Sequence, residues 1–269
     1  MPMQTGSATC WPTRWHKVKH SNYQVWEAGS EAGLCAVIMA PIMPSWDHGA
    51  FCRPLTDLLL ARGYSVFIYD TMGIASECSD LADAAARWAE ILSIRHPRID
   101  LVVGQAYGGA LIQYMLADAL SDCPKVLGIS APTYCDDALR AGLGDVLQEL
   151  SHSGPEAALQ AMAWRVMAES NSAVPERPQS APAETEMRFE RGLSHLCTAD
   201  ARRQVEGFRG QVLSLYGEES RLVRGCNIIL AAHSTRQRAV GLPACGMRPL
   251  TDAEEASLAL IADFLDESK

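Results

Sequence analysis

The sequence predicts an α/β protein: a mostly parallel central sheet with helices on both faces and a helical insertion after the fourth parallel strand. Three observations carry this. Continuously apolar, β-branched-rich runs recur at 34–40 (LCAVIMA), 64–69, 101–103 and 125–130. Such runs suit strands covered on both faces. Between them lie stretches with apolar residues at three- and four-residue steps, and regular strand–helix alternation builds a parallel sheet. The alternation then stops, because residues 133–203 show helical patterns and no strand.

Each element has its own signal. Two short alternating segments, 15–20 and 23–26, flank Ser21-Asn22, as expected of an opening antiparallel hairpin. The 34–40 strand runs into Pro41-Ile42-Met43-Pro44, which continues neither helix nor strand. Residues 51–62 place Leu55, Leu58, Leu59 and Leu60 at helical spacing and stop at Gly63. Ser79 is placed to cap a helix burying Leu81, Ala85, Trp88, Ile91 and Leu92. A helix over 107–120 follows the 101–103 strand. Within the insertion, 141–150 and 156–168 are helical, and the proline-rich 173–186 is an exposed loop. A strand at 211–216, a helix at 222–232 and a strand at 238–242 restore the rhythm. Thr251-Asp252-Ala253-Glu254 has the pattern of a capping box opening the last helix. The expected organisation is a tail at 1–14, a core of 15–132 with 204–269, and a helical cap at 133–203.

Composition narrows the function. With 48% hydrophobic and 20% charged residues the chain has the make-up of an ordinary globular protein. Its formal charge of −9 argues against a nucleic-acid groove or an anionic membrane surface as partner. No apolar run approaches membrane-spanning length, and the N-terminus carries no signal-like apolar region. The nine cysteines are odd in number and scattered, with no C-x-x-C pair, which suits free thiols in a reducing, cytoplasmic compartment. Histidine and cysteine spacing matches no zinc site, so no metal and no cofactor are expected.

The most informative stretch is Gly104-Gln105-Ala106-Tyr107-Gly108, set between the 101–103 strand and the next helix. That is the strand–turn–helix context of the G-x-S-x-G nucleophile elbow, with alanine where serine should stand. Four further landmarks follow the same order. They are the 34–43 strand and loop, Tyr69-Asp70-Thr71-Met72-Gly73, the loop Gly217-Glu218-Glu219-Ser220-Arg221-Leu222-Val223, and Cys245-Gly246-Met247 before the last helix.

Taken together, from residue 15 to the C-terminus the chain resembles the α/β-hydrolase superfamily, in particular its capped esterase and thioesterase-like branch. The resemblance implies an α/β-hydrolase fold and a site whose reactive positions have changed. Ala106 stands at the nucleophile position, Ser220 (or Glu219, one residue earlier) at the acid position, and Met247 at the base position. The H-G of the oxyanion loop becomes Ala40-Pro41. Glu218, Asp136 and Asp137 are further substitute acids; His48, His152, His195 and His233 are substitute bases, with His48 foremost. An oxyanion hole built from the backbone N–H of Tyr107 and of Ile42 or Met43 needs no particular side chain. The same resemblance implies a pocket lined by Ile42, Met43, Gln105, Tyr107 and Met247, with Trp164 and Met167 from the cap.

Three functions follow from this. One is a triad-less protein that binds a hydrophobic, carbonyl-bearing (acyl or polyketide-like) small molecule. It would assist a non-hydrolytic step such as cyclisation, condensation or elimination, or merely carry the ligand. The second is an ester or thioester hydrolase seen as a serine-to-alanine form with displaced acid and base. The third is a non-catalytic interaction protein. A hydrophobic small molecule is the expected partner, with no nucleic acid and no membrane, and a homodimer is as compatible with the sequence as a monomer.

Overall fold

The computed structural model describes residues 13–18, 21–30, 33–232 and 234–267. Strand β1 (Thr13–Val18) pairs antiparallel with β2 (Ser21–Ala28), Val18 opposite Ser21. Residues 19–20 between them lie outside the described residues, and Ser21-Asn22, expected as the turn, begin the second strand. Residues 1–12 also lie outside the described residues, while Thr13 and Arg14 of the expected tail belong to β1.

The core then alternates: β3 (Leu34–Met39), α1 (Arg53–Ala61), β4 (Tyr64–Tyr69), the short α2 (Met72–Ala75), α3 (Leu81–Arg95), β5 (Leu101–Gln105), α4 (Tyr107–Tyr114) and β6 (Lys125–Ile129). The helix over 107–120 is shorter than its sequence pattern, giving way to a 3-10 turn at Met115–Ala117. The cap of α3 is Asp80 rather than Ser79. Its carboxylate accepts the Asp83 N–H at 2.8 Å, and the Asp83 carboxylate accepts the Ser79 N–H at 3.0 Å. One orphan donor of the first turn, and the Ser79 N–H just ahead of the cap, are satisfied this way, with the cap one residue later than the serine predicts.

Between β6 and the next strand lie α5 (Asp137–Ser153), α6 (Pro155–Val166), α7 (Thr185–Cys197) and α8 (Arg202–Gly207). The chain closes with β7 (Gln211–Gly217), β8 (Gln237–Leu242), α9 (Pro249–Asp252) and α10 (Glu254–Asp266). The helix expected at 222–232 does not form; only Gly225–Asn227 makes a 3-10 turn. Tertiary partners outcompete the local pattern there, since Thr133 N–H donates to the Asn227 carbonyl at 2.8 Å and Ile229 N–H to Thr133 Oγ1 at 3.0 Å. The capping box at 251–254 is also absent. Thr251 sits inside α9, and the Asp252 carboxylate instead accepts the Gly246 N–H at 3.0 Å.

The eight strands run in the order β1-β2-β4-β3-β5-β6-β7-β8, with β3 through β8 mutually parallel and β2 antiparallel to both its neighbours, β1 and β4. Alternate side chains enter opposite cores, as a strand period of two requires. Val37, Met39 and Val102 face α3, α4 and the cap helices, whereas Ala36, Ile38, Leu101 and Val103 face α1 and α10. Both faces are buried, which explains the unbroken apolar runs. No helix of the described residues is long and apolar enough to cross a membrane.

One feature of this topology positions the site. From β3 the chain leaves through α1 on one face of the sheet to β4, and from the adjacent β5 through α4 on the other face to β6. Loops departing in opposite directions open a crevice at the strands' carboxyl ends. The segments at that crevice are the loop after β3 and the turn at Ala106.

A buried histidine gives the core a pH dependence. His96 Nε2 lies 2.7 Å from the Tyr69 hydroxyl and Nδ1 3.5 Å from Cys35 Sγ, and burial pushes its pKa down to about 4. Above about pH 6.5 the ring is neutral in both folded and unfolded chains, and its full contribution is present. As pH falls below that value the unfolded chain takes up the proton first. Stability should then drop by about 1.4 kcal/mol per pH unit on this account until the folded pKa is reached. Urea titrations at pH 7, 6 and 5 should show that slope in the native chain and a shallower one in His96→Gln. Equal slopes would show that His96 does not carry it.

Candidate functional site

The turn after β5 is built by close approach. A Cβ on Gly108 would lie 2.1 Å from the Met39 carbonyl oxygen, and one on Gly104 would lie 2.4 Å from the Cα of Gly109. Only glycine lets α4 start directly against the end of β3. Ala106, at the apex, is held at φ 47°, ψ −110°. A residue with a Cβ pays for such backbone with on the order of 1–3 kcal/mol of strain. Alanine presents only a methyl group there. Ala106→Gly should relieve the strain and raise stability by about 1 kcal/mol, a rise of roughly 2–4 °C in Tm. A fall in Tm on scanning calorimetry would contradict the assignment of strain.

Above Ala106 lies a cavity of about 300 Å³. Pro41, Ile42 and Met43 line one side, Gln105, Ala106 and Tyr107 the floor, and Met247 and Arg248 another side. The cap closes it with Leu143 of α5, Met162 and Val166 of α6, and Leu193 and Leu196 of α7. Polar groups are few and several are unmatched. The backbone N–H groups of Ile42, Met43 and Tyr107 meet no acceptor among the described residues, and the buried Gln105 Oε1 has no hydrogen-bond partner. An unmade bond of this kind costs about 1–3 kcal/mol in a buried setting, and a polar group of a ligand or a water can recover it.

The Tyr107 side chain is fixed in turn. Its hydroxyl donates to His195 Nδ1 at 3.1 Å, and His195 Nε2–H donates to the Cys78 carbonyl at 3.3 Å. Because a carbonyl can only accept, this pairing selects the Nε2–H tautomer and leaves Nδ1 as acceptor. Burial lowers the His195 pKa and raises that of Tyr107, so both stay neutral near pH 7.

The expected site residues separate into two groups. Ile42, Met43, Gln105, Ala106, Tyr107 and Met247 meet at the cavity. Trp164 and Met167 do not line it. Trp164 is 41% exposed, with the Arg221 guanidinium 4.2 Å from its ring centroid, and Met167 lies past the end of α6. On a helix, residues two apart face nearly opposite ways, so Met162 and Val166, one turn apart, take the inward positions.

The substitute acids and bases fare no better. His48 is exposed and packs edge-on to Trp46, His152 is exposed at the end of α5, and His195 is committed to Tyr107 and Cys78. None of these three lines the cavity, and His233 lies outside the described residues. Asp136 caps α5 by accepting the Leu139 N–H at 2.8 Å, and Asp137 pairs with Arg140 at 2.7 Å. Glu218 is exposed, and Glu219 bonds the Ser170 hydroxyl and N–H, contacts that hold its carboxyl below the ordinary range. Ser220 is buried, and its Oγ accepts the Leu222 N–H at 3.3 Å. Among the described residues no cluster of His, Cys, Asp and Glu is placed to hold a metal ion.

The sequence gives no sign of what lies beside Ser220 and Met247. The strap leaving α6 is hydrogen-bonded to both loops: Met247 N–H donates to the Val166 carbonyl at 2.9 Å, Glu169 N–H donates to the Glu219 carbonyl at 2.9 Å, and Ala168 bridges Ser220. Arg221 then donates to the carbonyls of Trp164, Met167, Glu169 and Asn171. A Cβ on Gly246 would meet the Val166 oxygen at 2.5 Å.

No family model and no curated protein matches the chain. Solved structures do. An α/β hydrolase enzyme from a Medee basin deep-sea metagenome library superposes with a TM-score of 0.77 at 13% identity, covering 95% of this chain and 98% of that one. A bromoperoxidase from Bacillus anthracis gives 0.74 at 13%, covering 95% and 100%. The chain has the α/β-hydrolase fold. An esterase from Exiguobacterium antarcticum is similar at a TM-score of 0.70 and 14% identity, covering 93% of this chain and 97% of its own. At these identities the likeness is one of fold, and the chemistry of this α/β-hydrolase-fold chain has to be argued from its own residues.

Proposed function

We propose that this α/β-hydrolase-fold protein binds an apolar, carbonyl-bearing small molecule of acyl or polyketide-like type and does not cleave it through a serine triad. One observation carries the reading. The cavity ends on Ala106 in its strained turn, with N–H groups beside it that have no partner among the described residues and no carboxylate or imidazole among the described residues that line it. The N–H groups of Tyr107 and of Ile42 or Met43 can receive a carbonyl oxygen and stabilise charge that develops on it. A methyl group supplies no nucleophile, and a thioether takes no proton at neutral pH.

What such a site does supply is orientation, water exclusion and polarisation. Those suit a step in which the ligand brings its own nucleophile or leaving group: cyclisation, condensation or elimination. The reading of a hydrolase with displaced acid and base loses support, since none of the described histidines lines the cavity.

Binding is tested by thermal shift with methyl octanoate and 2-decanone. At a hundredfold excess over Kd a ligand adds about 2.7 kcal/mol, or roughly 5–10 °C in Tm. Leu143→Trp, which fills the cavity from α5, should abolish the shift. No shift in the native chain, or an equal one in Leu143→Trp, would overturn the assignment.

A further inference from the structure

We infer that the ligand of this cavity carries a carboxylate in addition to its carbonyl, and that Arg248 at the cavity rim is the residue that selects it. The inference rests on the proposed reading that the cavity is the ligand site, and it names the ligand's class.

Among the described residues Arg248 is the one charged residue lining the cavity, and it is exposed at the rim, next to Met247 in the chain. Its ion pair is loose: Nη2 lies 3.5 Å from Asp252 Oδ1, while the other carboxylate oxygen of Asp252 is taken by the Gly246 N–H at 3.0 Å. The guanidinium thus keeps donors available, and the exposed Thr251 beside it adds a hydroxyl to the same rim. A planar fork of N–H donors matches the two oxygens of a carboxylate.

Among the described residues the rest of the cavity lining carries no charge. Its floor presents the start of α4, whose macrodipole also favours negative charge, and its walls are Leu143, Met162, Val166, Leu193 and Leu196. This local positive character stands against the chain's formal −9, so it is a property of the site and not of the surface as a whole. An amphipathic anion satisfies the three parts of the lining: apolar body among the cap helices, carboxylate at Arg248, carbonyl at the turn. An ammonium-terminated molecule of the same length would bring its cation against Arg248.

Octanoate, octanamide and octylamine, which share a chain length and differ in the head group, separate the possibilities. Each is titrated into the native chain, Arg248→Gln and Arg248→Lys by calorimetry at fixed ionic strength. Octanoate should bind the native chain about tenfold more tightly than octanamide, with octylamine weakest. Arg248→Gln should bring octanoate down to the octanamide level and leave octanamide unchanged, and Arg248→Lys should restore part of the preference. Equal binding of octanoate and octanamide, or equal loss of both in Arg248→Gln, would overturn the anion inference while the cavity reading stands. If no probe binds, and methyl octanoate gives no shift either, the cavity reading fails with it. The unliganded Tm of each variant, expected to match the native chain, shows that the fold is intact.

Discussion

Replacing Arg188 by methionine is expected to destabilise the fold by about 3–5 kcal/mol, and so to lower Tm by on the order of 10 °C. Arg188 projects from α7 in the cap, and its guanidinium bonds both carboxylate oxygens of Asp70, at 3.0 and 2.6 Å. Asp70 sits just past the end of β4 in the core. The two side chains are 3% and 1% exposed. Methionine fills much of the same volume but leaves the Asp70 carboxylate in the interior with, among the described residues, only the Met72 N–H, at 3.2 Å, for a partner. An unpaired buried charge accounts for most of the loss; the companion contact to Glu184, whose side chain is 54% exposed, contributes little.

A double variant, Asp70→Leu with Arg188→Met, should recover a large part of the stability, because it buries no charge at all. Thermal unfolding of the three proteins, with hydrogen exchange to follow α7, checks this. A native-like Tm for Arg188→Met would mean that the pair does not hold the cap. α7 is pinned to the core at a second point by the Tyr107–His195 hydrogen bond. The helix that closes the cavity is therefore fixed by polar contacts as well as by Phe189, Leu193 and Leu196.

Ala106→Ser is expected to leave the hydrolysis of p-nitrophenyl esters and acyl thioesters at background. Where an acid and a base are in place, removing the serine of a hydrolase costs on the order of 10⁶ in turnover. Restoring it to an otherwise competent site would thus be visible across many decades. In this chain the new hydroxyl would share its cavity with the Met247 thioether and find no imidazole among the lining residues. The strap from Val166 to Asn171 is already hydrogen-bonded to the loops that carry Ser220 and Met247. A pre-steady-state burst of p-nitrophenolate from Ala106→Ser would overturn the proposed function and send the search for a base back to the histidines.

Much of the architecture was legible because two faces of one sheet are buried. Burial on both sides forces runs such as LCAVIMA, and the helices between them must show an apolar stripe, so class and order follow from local pattern. The turn at Ala106 was legible for a different reason: its glycines are demanded by backbone contact, as at Gly108 against Met39, and so must appear in the chain itself. Where expectation failed, a tertiary partner had replaced a local one. Residues 222–232 are apolar enough for a helix, but Thr133 bonds Asn227 and Ile229 and holds the segment open. Thr251 has the pattern of a cap, but Asp252 is drawn to Gly246.

By itself, then, the sequence determined the sheet, the helical insertion and the position of the strained turn, since each is written in short-range periodicity or in an obligatory glycine. Only the tertiary structure decided which cap residues enter the cavity, that Trp164 faces away while Leu143, Val166 and Leu193 face in, and that Arg248 stands at the rim. It also decided that Asp70 and Arg188, 118 residues apart, form one buried pair. The physical reason is the same in each case. Which way a cap helix turns its side chains, and which distant charge finds which, depends on how separate elements pack, and no local pattern encodes that.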